Sequence, residues 1–575
     1  MLLGIDVGGT HTDAVLLRVG EHSFSVIASV KTETYSDDVV LSVKTALQAL
    51  FAENDPASIS RFTLSTTLTT NALAQERFGS ARLILIPGPG MAFEYPGSWV
   101  EGLPVDVLSG SIDHRGRETA PLKEEELVFL ASEFAGKGVM RLAVAGKFAT
   151  RNPEHERRVG EVFLASGSVR SVGFSHTLSG MLNFPRRAVT AFYNAAINDL
   201  HGAFIDGVAD AVDAVSMNAS GAEPLLLLAH GGSVPAGASR EVCVEAANSG
   251  PAASVLGILA LEGERLSKKE AVLFCDIGGS TTDLAVLAKG SPVTAREGIT
   301  LGGRRTSVPG LATWSVPVGG DCPITIGPGG ELVLETRRQG PCCAMGGPVP
   351  TLTDALNVLG HASFGDVAAS RSALRKLASG MSGCLGIATS AEDIAQIAAL
   401  TAGKRICDAA ASFIESVNTR PVYTVAQLLE GATVSPEIIC SVGGAGESMA
   451  PVLQNVFSLP VIVPGYAPFA NAIGAALSRV SAHASLYADT ARQTAYLLPT
   501  GERLAVSSAY TQKEAEDDVT AYLEREGAAL DPTGKIPPVE IVESDAFAMH
   551  DERGNRLGRT IRVMGRLKPG LVIEG

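Results

Sequence analysis

The chain has 575 residues, a length that exceeds what one hydrophobic core supports and that predicts roughly two to four domains. Its 46 Lys and Arg residues stand against 61 Asp and Glu, a formal net charge of −15, and this excess of negative charge repels nucleic-acid phosphates. Hydrophobic residues make up 46% of the chain and charged residues 19%, which favours a large buried α/β core over long disordered tails. The composition therefore disfavours nucleic-acid binding.

The sequence predicts neither a targeting segment nor a membrane span. The opening residues, MLLGIDVGGTHTD, contain no basic stretch and run directly into a patterned motif, which argues against a signal peptide. The most apolar stretch, residues 251–261, is about half as long as a membrane span needs to be. None of the eight cysteines forms a CxxC pair, so neither a zinc site nor a thioredoxin-like motif is indicated. We expect a cytoplasmic protein with no membrane segment.

The first predicted element is a strand, a tight turn and a second strand, in LLGIDVGGTHTDAVLL. Asp6 lies at the end of the first strand, Gly8 and Gly9 make the turn, and Thr10 and Thr12 follow it. Because glycines let the backbone turn tightly, consecutive N–H groups and hydroxyls can face a phosphate at such a turn. The Asp6 carboxylate is suited to hold Mg²⁺, usually through water. One such motif is weak evidence for a nucleotide site.

Strand-like and helix-like segments alternate after this motif. Helices are predicted at 38–52 and 185–215, and strands in ARLILIPG, VMRLAVAG, VRSVGFS and PLLLLAHGG. This alternation is typical of α/β domains.

Two polar features in this part of the chain are candidate ligand groups. STTLTTNAL follows a short strand and contains Thr66, Thr67 and Asn71, which either cap a helix or contact a substrate. His230 precedes a Gly-Gly-Ser turn at a strand end, where it is either structural or part of a ligand pocket. The residues alone leave both alternatives open.

The motif then recurs in LFCDIGGSTTDLAVL, where Asp276 stands in the place of Asp6. The copies are too far apart for a solenoid, so the repeat predicts two homologous lobes in one molecule. Two such turns facing each other could bind an anionic phosphate chain from both sides. The turn residues of the second copy are Gly278, Gly279, Ser280 and Thr281.

After the second motif, a Gly- and Pro-rich stretch at 302–350 predicts loops and short strands. Helices are predicted at about 353–378 and 391–417. EIICSVGGAGESMAPVL follows as a strand, a glycine turn and a helix. The last ninety or so residues are more charged and richer in turns, which predicts a small appended domain with strands. We expect the domains to be residues 1–188, 189–484 and 485–575.

The two Gly-Gly turns of the repeated motif and the later strand–GG–helix element resemble, in type and order, the nucleotide-binding motifs of the actin, sugar-kinase and Hsp70 ATPase superfamily. The resemblance implies an α/β fold of two ribonuclease-H-like lobes with ATP in the cleft between them, plus a small C-terminal α+β domain. It implies that the two turns bind the phosphates of ATP and that the third element binds adenosine. The adenosine residues are then Gly443, Gly444, Ala445 and Glu447, although Glu447 is equally suited to cap the helix.

Within that superfamily the chain resembles the hydantoinase A / 5-oxoprolinase family. The matching stretches are DVGGTHTD, STTLTTNAL, NPEHERRV, NSGPAAS and PTLTDALNVLG, and the likeness extends from residue 1 to about 480. It implies an ATP- and Mg²⁺-dependent hydrolase that opens a cyclic amide, such as a hydantoin or 5-oxoproline, or a related activation as in acetone-carboxylase-type subunits. It also implies a partner, a hydantoinase B-like second subunit or further copies of the chain.

The chain departs from the family pattern at three places, all outside the ATP motifs. Leu64 stands where the family pattern has a histidine. NFPRRAV keeps only Arg187 of a segment that carries acidic and basic residues in the family pattern. PVGGDC stands in place of a GAGGGS turn. These departures fall where the organic substrate is expected, so the resemblance leaves the substrate open. The expected substrate-binding residues are Thr66, Thr67, Asn71, Arg187 and His230.

Roles within the site follow from the expected chemistry. Asp276 is the candidate for positioning or deprotonating a nucleophile, and Asp6 is the candidate magnesium ligand together with Asp276. Asp13 and Asp283 either brace the hairpins or assist the metal. Three other functions use the same turns: an ATP-driven chaperone or reactivase, an ATP-dependent carboxylase subunit, and a small-molecule kinase.

Overall fold

The structure is a computed structural model of the chain. It describes residues 1–573 apart from 21, 36, 93–96, 137, 216, 218–220, 296, 386–388, 420–432, 532–535 and 551–552. No helix in this described part is long and apolar enough to cross a bilayer.

The N-terminal motif forms an antiparallel hairpin in the middle of a six-stranded sheet. Apolar side chains on both faces bury the first strand, and the strand's end places Asp6 opposite Asp13 in the hairpin and opposite Ser65 in a parallel neighbour. The first helix begins where the Asp38 side chain accepts a hydrogen bond from Leu41 N–H. The elements are β1 (Leu2–Val7), β2 (His11–Val19), β3 (Phe24–Glu33), α1 (Val39–Phe51), β4 (Arg61–Thr66) and α2 (Leu68–Ala74).

A separate four-stranded parallel sheet follows, in the order β10–β9–β5–β6. Its central strands are continuous buried apolar runs, as expected for a sheet covered on both faces. The elements are β5 (Ala81–Ile86), β6 (Val105–Val107), β7 (Ser111–Ile112), β8 (Glu118–Ala120), α3 (Glu124–Ala135), β9 (Arg141–Gly146), α4 (Glu154–Ala165) and β10 (Ser171–Phe174).

A 31-residue helix then returns the chain to the first sheet, whose order is β12–β11–β4–β1–β2–β3. The expected domain boundary at residue 188 falls inside this helix, and residues 224–235 belong to the first sheet. We therefore propose that the first lobe extends beyond residue 235. The elements are α5 (Ser175–Leu178), α6 (Phe184–Ala214), β11 (Pro224–Leu227), β12 (Ser233–Pro235) and α7 (Ser249–Leu266).

The second copy of the motif forms the same hairpin in the third large sheet, with Asp276 opposite Asp283. The path of this sheet is β15–β14–β13–β21–β22, and β18 pairs with β14. The elements are β13 (Ala271–Ile277), β14 (Thr282–Ala288), β15 (Ser291–Pro292), β16 (Thr300–Leu301), β17 (Arg304–Arg305), β18 (Thr313–Val316), β19 (Ile324–Ile326), β20 (Leu332–Leu334), α8 (Leu352–Val358), α9 (Val367–Leu385), α10 (Ala391–Asn418), β21 (Ile438–Val442), α11 (Gly446–Phe457), β22 (Val461–Ile462) and α12 (Ala470–Leu477).

Helix α12 lies against both β1 and α7, and small residues make that approach possible. A Cβ added at Gly4 would overlap the backbone of Ala472, and one added at Gly257 would overlap the backbone of Ala470. Because backbone meets backbone here, the start of α12 is held next to the ends of β1 and β13. This packing positions the candidate active site.

The C-terminal part is a five-stranded antiparallel sheet covered by one helix. The sheet order is β25–β24–β23–β27–β26. The helix begins with a reciprocal cap between Thr511 and Glu514 and buries Ala515, Val519 and Leu523. The elements are β23 (His483–Asp489), β24 (Thr494–Leu498), β25 (Glu502–Ala505), α13 (Gln512–Leu530), β26 (Val539–His550) and β27 (Arg556–Leu567).

Candidate active site

The aspartates from the two copies of the motif meet at one asparagine. The Asn471 Nδ2 group donates to Asp6 Oδ2 at 3.3 Å and to Asp276 Oδ2 at 3.0 Å. Ser65 also donates to Asp6, and Ser254 donates to Asp276. Asn471 lies in the first turn of α12, so the packing of that helix brings the ends of two separate sheets to the same point.

The two glycine turns have the same local geometry and face each other. Gly8 N–H donates to His11 O at 3.1 Å, and Gly278 N–H donates to Thr281 O at 2.9 Å. A Cβ added at Gly279 would lie 2.8 Å from Thr10 Oγ1, so a hydroxyl of the first turn adjoins the second turn. Thr12 is buried and its hydroxyl shares a hydrogen bond with the Thr34 hydroxyl at 2.9 Å. The two glycine turns, which end strands of two separate sheets, therefore lie next to each other.

The third glycine turn adjoins Asp276. Gly443 has a φ of +87°, and a Cβ at this position would overlap Asp276 Oδ1 and the Ile277 carbonyl. Ala445 N–H donates to Ile277 O at 2.9 Å, which ties the turn to the end of β13. The Cβ position of Gly444 is open, and Glu447 lies exposed in the first turn of α11. The third turn therefore packs against Asp276 at Gly443 and is open at Gly444.

Residues 319–322, the second part of the PVGGDC stretch at 317–322, lie directly on the second glycine turn. Gly320 N–H donates to Gly278 O at 2.9 Å, and Asp321 N–H donates to Gly279 O at 2.6 Å. The Asp321 carboxylate accepts from Arg338 Nε at 2.9 Å. This stretch was expected at the organic substrate, and no role was predicted for Asp321, because no local pattern reveals a contact between segments about 40 residues apart.

Four aspartates, Asp6, Asp13, Asp276 and Asp283, lie close together in the site. Burial raises the pKa of Asp6 to about 7, with the charges of Asp13 and Asp276 acting in the same direction. Burial also raises the pKa of Asp276, and burial together with the Asp276 charge raises the pKa of Asp283 to about 7. Lys31 lies near one member of this group, with Nζ 2.8 Å from Asp13 Oδ2. A bound cation would relieve the repulsion that remains.

Mg²⁺ fits these residues when it arrives with a nucleotide. Among the residues that the structure describes, no cluster of three or more His, Cys, Asp or Glu is arranged to hold a metal ion. Mg²⁺ bound to a nucleotide needs only one or two carboxylates, since phosphates and waters supply its other oxygen ligands. Asp6 and Asp276, which meet at Asn471, are the two carboxylates that such an ion would contact.

A pocket beside the first glycine turn brings together part of the predicted substrate-binding set. Thr67 and Asn71 line it next to Gly8 and Gly9, and its accessible volume is about 90 Å³. Thr66 is buried behind it, and its hydroxyl accepts from Leu68 N–H, the first N–H group of α2, at 3.1 Å. Five further lining residues lie outside the motifs and were not predicted from the sequence: Thr34, Val39, Gln75, Arg77 and Leu200.

Arg187 and His230 do not line this pocket, in contrast to what the sequence led us to expect. Arg187 is 0% exposed, and its guanidinium donates to the carbonyls of Gly146 and Lys147 at 2.6 and 3.1 Å. His230 is also buried, and its Nδ1 accepts from Gly232 N–H at 3.0 Å. Both side chains satisfy backbone groups of their own surroundings, so we leave them out of the proposed substrate site.

We expect His230→Asn to weaken the acid sensitivity of the fold. Burial, with a smaller contribution from the neighbouring His483 and Arg566 side chains, lowers the pKa of His230 to about 3. The unfolded histidine takes up a proton near pH 6.5, so its stabilising contribution is complete above that pH and is lost as the pH falls toward 3. Between pH 7 and pH 4.5 the variant should lose roughly 2 kcal/mol less unfolding free energy than the wild type, measured by urea denaturation. Equal losses would mean that His230 titrates normally in the folded state.

The chain matches known families along most of its length. Residues 2–167 match the model of the hydantoinase/oxoprolinase N-terminal region, and residues 187–484 match the hydantoinase/oxoprolinase model. It is 26% identical over 418 residues to the acetophenone carboxylase gamma subunit of Aromatoleum aromaticum (strain DSM 19018 / LMG 30748 / EbN1), covering 62% of this chain and 53% of that protein. It is 25% identical over 393 residues to the caprolactamase subunit alpha of Pseudomonas jessenii, covering 63% and 55%. The chain thus spans about half the length of these curated relatives.

Two solved structures share the fold of this chain. A nucleotide-free acetone carboxylase structure superposes with a TM-score of 0.68 at 18% identity, covering 99% of this chain and 87% of that chain. The ATP-dependent caprolactamase of Pseudomonas jessenii superposes with a TM-score of 0.67 at 18% identity, covering 98% and 87%. The predicted fold class is confirmed: two lobes of the actin-like ATPase fold with a small C-terminal α+β domain.

Proposed function

The chain belongs to the hydantoinase/oxoprolinase family, and on that basis we propose that it is an ATP- and Mg²⁺-dependent enzyme that opens a cyclic amide of the hydantoin or 5-oxoproline type. The observation that carries this proposal is the meeting of Asp6 and Asp276 at Asn471, between two facing glycine turns. A pair of carboxylates next to backbone N–H groups and hydroxyls is suited to bind a nucleoside triphosphate with its metal ion. We place the protein in the cytoplasm.

We propose that the nucleotide lies across the three glycine turns. The phosphates contact the N–H groups and hydroxyls of the first and second turns, and the adenosine lies on the open side of the third. Asp6 and Asp276 would hold Mg²⁺ through water, and the ion would neutralise phosphate charge. The proposed contacts are Gly8, Gly9, Thr10, Gly278, Gly279, Ser280, Thr281, Gly443, Gly444, Ala445 and Glu447. Thr12, which the sequence also predicted, is left out because it is buried and its hydroxyl is bonded to the Thr34 hydroxyl.

Phosphorylation of the amide oxygen solves the chemical problem of an unreactive amide. The amide carbon resists water because the nitrogen lone pair is delocalised into the carbonyl. The carbonyl oxygen attacks the γ-phosphorus of ATP, an O–P bond forms, the bond to the β-phosphate oxygen breaks, and ADP leaves. Water then adds to the activated carbon, and the ring C–N bond breaks as the nitrogen takes up a proton, which leaves an acyl phosphate. A second water attacks the acyl carbon, phosphate leaves with the former carbonyl oxygen, and the carboxylate keeps the oxygens of the two waters.

The residues of the chain contribute mainly position and charge stabilisation. N–H groups of the two turns face the oxygens on which charge develops, an effect that is strong where water is excluded. Burial raises the pKa of Asp276, which brings it toward the operating pH of a base that accepts the proton of the attacking water. Thr67 and Asn71 offer a hydroxyl and an amide to the organic substrate beside the first turn.

An ATP-dependent carboxylase subunit is the second candidate, because relatives in sequence and in structure are named as acetophenone and acetone carboxylases. The same phosphoryl transfer then acts on the oxygen of a ketone enolate or of bicarbonate. A second subunit is part of both proposals, since the curated relatives are a gamma and an alpha subunit.

The experiment that separates these functions measures phosphate release from Mg-ATP. The chain is assayed with and without a hydantoinase B-like subunit against hydantoins, 5-oxoproline, and small ketones with bicarbonate. Stimulation by a cyclic amide, with ring-opened product, supports the first proposal, and stimulation by a ketone with bicarbonate supports the second. Stimulation by a protein alone would indicate a chaperone or reactivase, and a stable phosphorylated product would indicate a kinase.

We expect Asn71→Ala to lower substrate-stimulated turnover by about tenfold, the effect of one lost hydrogen bond. The Asn71 side chain is exposed to the pocket, and its Nδ2 donates to Thr67 Oγ1 at 3.4 Å, so its removal leaves the core intact. Nucleotide affinity, measured by calorimetry, should be nearly unchanged. Loss of nucleotide affinity together with turnover would instead assign Asn71 a structural role.

A further inference from the structure

A second cavity lies where the region of the four-stranded parallel sheet meets the C-terminal sheet. One wall comes from the segment after β9 and from residues just before α6, and the other comes from two paired strands, β23 and β27. It shares no lining residue with the pocket beside Asn71. The residues that matter here are Thr150, Arg151, Gly180, Ser485, Tyr487 and Arg562.

Three of these side chains carry a buried polar atom that has no hydrogen-bond partner within the described part of the chain. The atoms are Thr150 Oγ1, Arg151 Nε and the Tyr487 hydroxyl. Thr150 is 4% exposed and Tyr487 is 6% exposed. Buried polar groups in folded proteins are nearly always paired, because an unpaired one loses its hydration without compensation. Three unpaired donors around one cavity indicate a ligand rich in acceptor oxygens.

Two arginines, Arg151 and Arg562, line the cavity, so its positive charge favours an anionic ligand. The Arg151 guanidinium stacks 4.6 Å from the centroid of the Tyr487 ring, which orients it, and it also donates to the His114 carbonyl. Burial and the neighbouring charge of Arg562 lower the pKa of Arg151.

The acids near Arg151 already have partners. Arg562 pairs with Glu543, and Asp113, whose charge also acts on Arg151, pairs with Arg117. Among the ion pairs of the described residues, none includes Arg151. A negatively charged ligand would provide the missing partner.

We propose that this cavity binds the oxygen end of a small oxyanion, either a carboxylate group or free phosphate. An Arg Nε–H and two hydroxyls can donate together to one or two such oxygens, and bonds of this charge-assisted kind are strong. The accessible volume is about 10 Å³, room for about one water-sized group, so one end of the anion enters while the rest stays at the mouth. The bound anion joins Thr150 and Arg151 to Tyr487, and it therefore stabilises the docking of the C-terminal sheet.

The test uses the full-length chain and Tyr487→Phe, which removes the unpaired hydroxyl and keeps the ring under Arg151. Without an anion, the variant should melt at the wild-type temperature or slightly above it, because it loses an unsatisfied buried group. Tyr496→Phe is the matched control, since Tyr496 faces Tyr487 across the β23–β24 pair and lines neither cavity. Saturating Mg-ADP is present throughout so that phosphate does not report on the nucleotide site.

Sodium acetate and sodium phosphate are titrated separately against sodium chloride at equal ionic strength, and binding is followed by melting temperature and calorimetry. We expect at least one oxyanion to stabilise the wild type and the Tyr496→Phe control more than chloride does, with the dissociation constant raised at least tenfold in Tyr487→Phe. Binding of acetate alone identifies a carboxylate ligand, and binding of phosphate alone identifies free phosphate. The proposal is overturned if neither anion exceeds chloride, or if Tyr487→Phe binds as the wild type does, because the cavity then holds only water.

Discussion

Asp276→Asn is expected to lower phosphoryl transfer from Mg-ATP by two or more orders of magnitude. The substitution keeps the volume, and the new amide oxygen still accepts from Asn471, but it removes the negative charge that cation binding and nucleophile positioning both need. Loss of one major electrostatic contribution corresponds to roughly 3 kcal/mol in the barrier. The measurement is the rate of phosphate release under saturating nucleotide and substrate.

The fold of this variant should be at least as stable as that of the wild type. Burial raises the pKa of Asp276, which means that the surroundings disfavour its charge, and a neutral side chain relieves that cost. Thermal melting without nucleotide is therefore the control. A folded Asp276→Asn protein that releases phosphate at the wild-type rate would remove Asp276 from the chemistry and would contradict the proposed role of the second motif.

Gly443→Ala is expected to reduce both nucleotide affinity and turnover by about a hundredfold. The residue has a φ of +87°, where an L side chain costs roughly 1–3 kcal/mol in strain. Its new Cβ would also overlap Asp276 Oδ1 and the Ile277 carbonyl, so the turn and the aspartate must move apart. Nucleotide titration calorimetry and steady-state turnover give the two quantities.

Gly444→Ala is the matched control for this effect on the fold. A Cβ at Gly444 meets no atom within 4 Å, and the residue does not have a positive φ. We expect the melting temperature of Gly444→Ala to match that of the wild type, whereas Gly443→Ala should melt lower. Equal melting temperatures for both variants would show that the third turn adapts to a side chain and does not hold Asp276 in place.

The sequence was sufficient for the elements whose geometry depends on neighbouring residues. The apolar runs and glycines of the two repeated motifs predicted strand, turn and strand, and the structure has β1–β2 and β13–β14 at those positions. The family and the fold class predicted from the motifs are likewise confirmed. Short-range patterns carry this information because a turn is determined by a few consecutive residues.

Predictions that depended on distant contacts were less accurate. One helix was expected at about 353–378, but the structure has α8 and α9, separated by a turn in which the Asn357 amide donates to Phe364 O at 2.8 Å. Arg187 and His230 were grouped with Asn71 by resemblance and by strand-end position, yet their burial and partners place them apart. Burial depends on what packs over a residue, which its own neighbours in the chain do not reveal.

The amino-acid sequence by itself determined the family, the repeated turns and the aspartate at the end of each first strand. Only the tertiary structure shows that Asp6 and Asp276 meet at Asn471, that residues 319–322 contact the second turn, and that a pocket lies beside Asn71. The physical reason is that local backbone geometry follows from adjacent residues, whereas the meeting of two sheets requires α12 to pack against β1 and α7. That packing is possible because Gly4 and Gly257 have no side chain to hold the backbones apart.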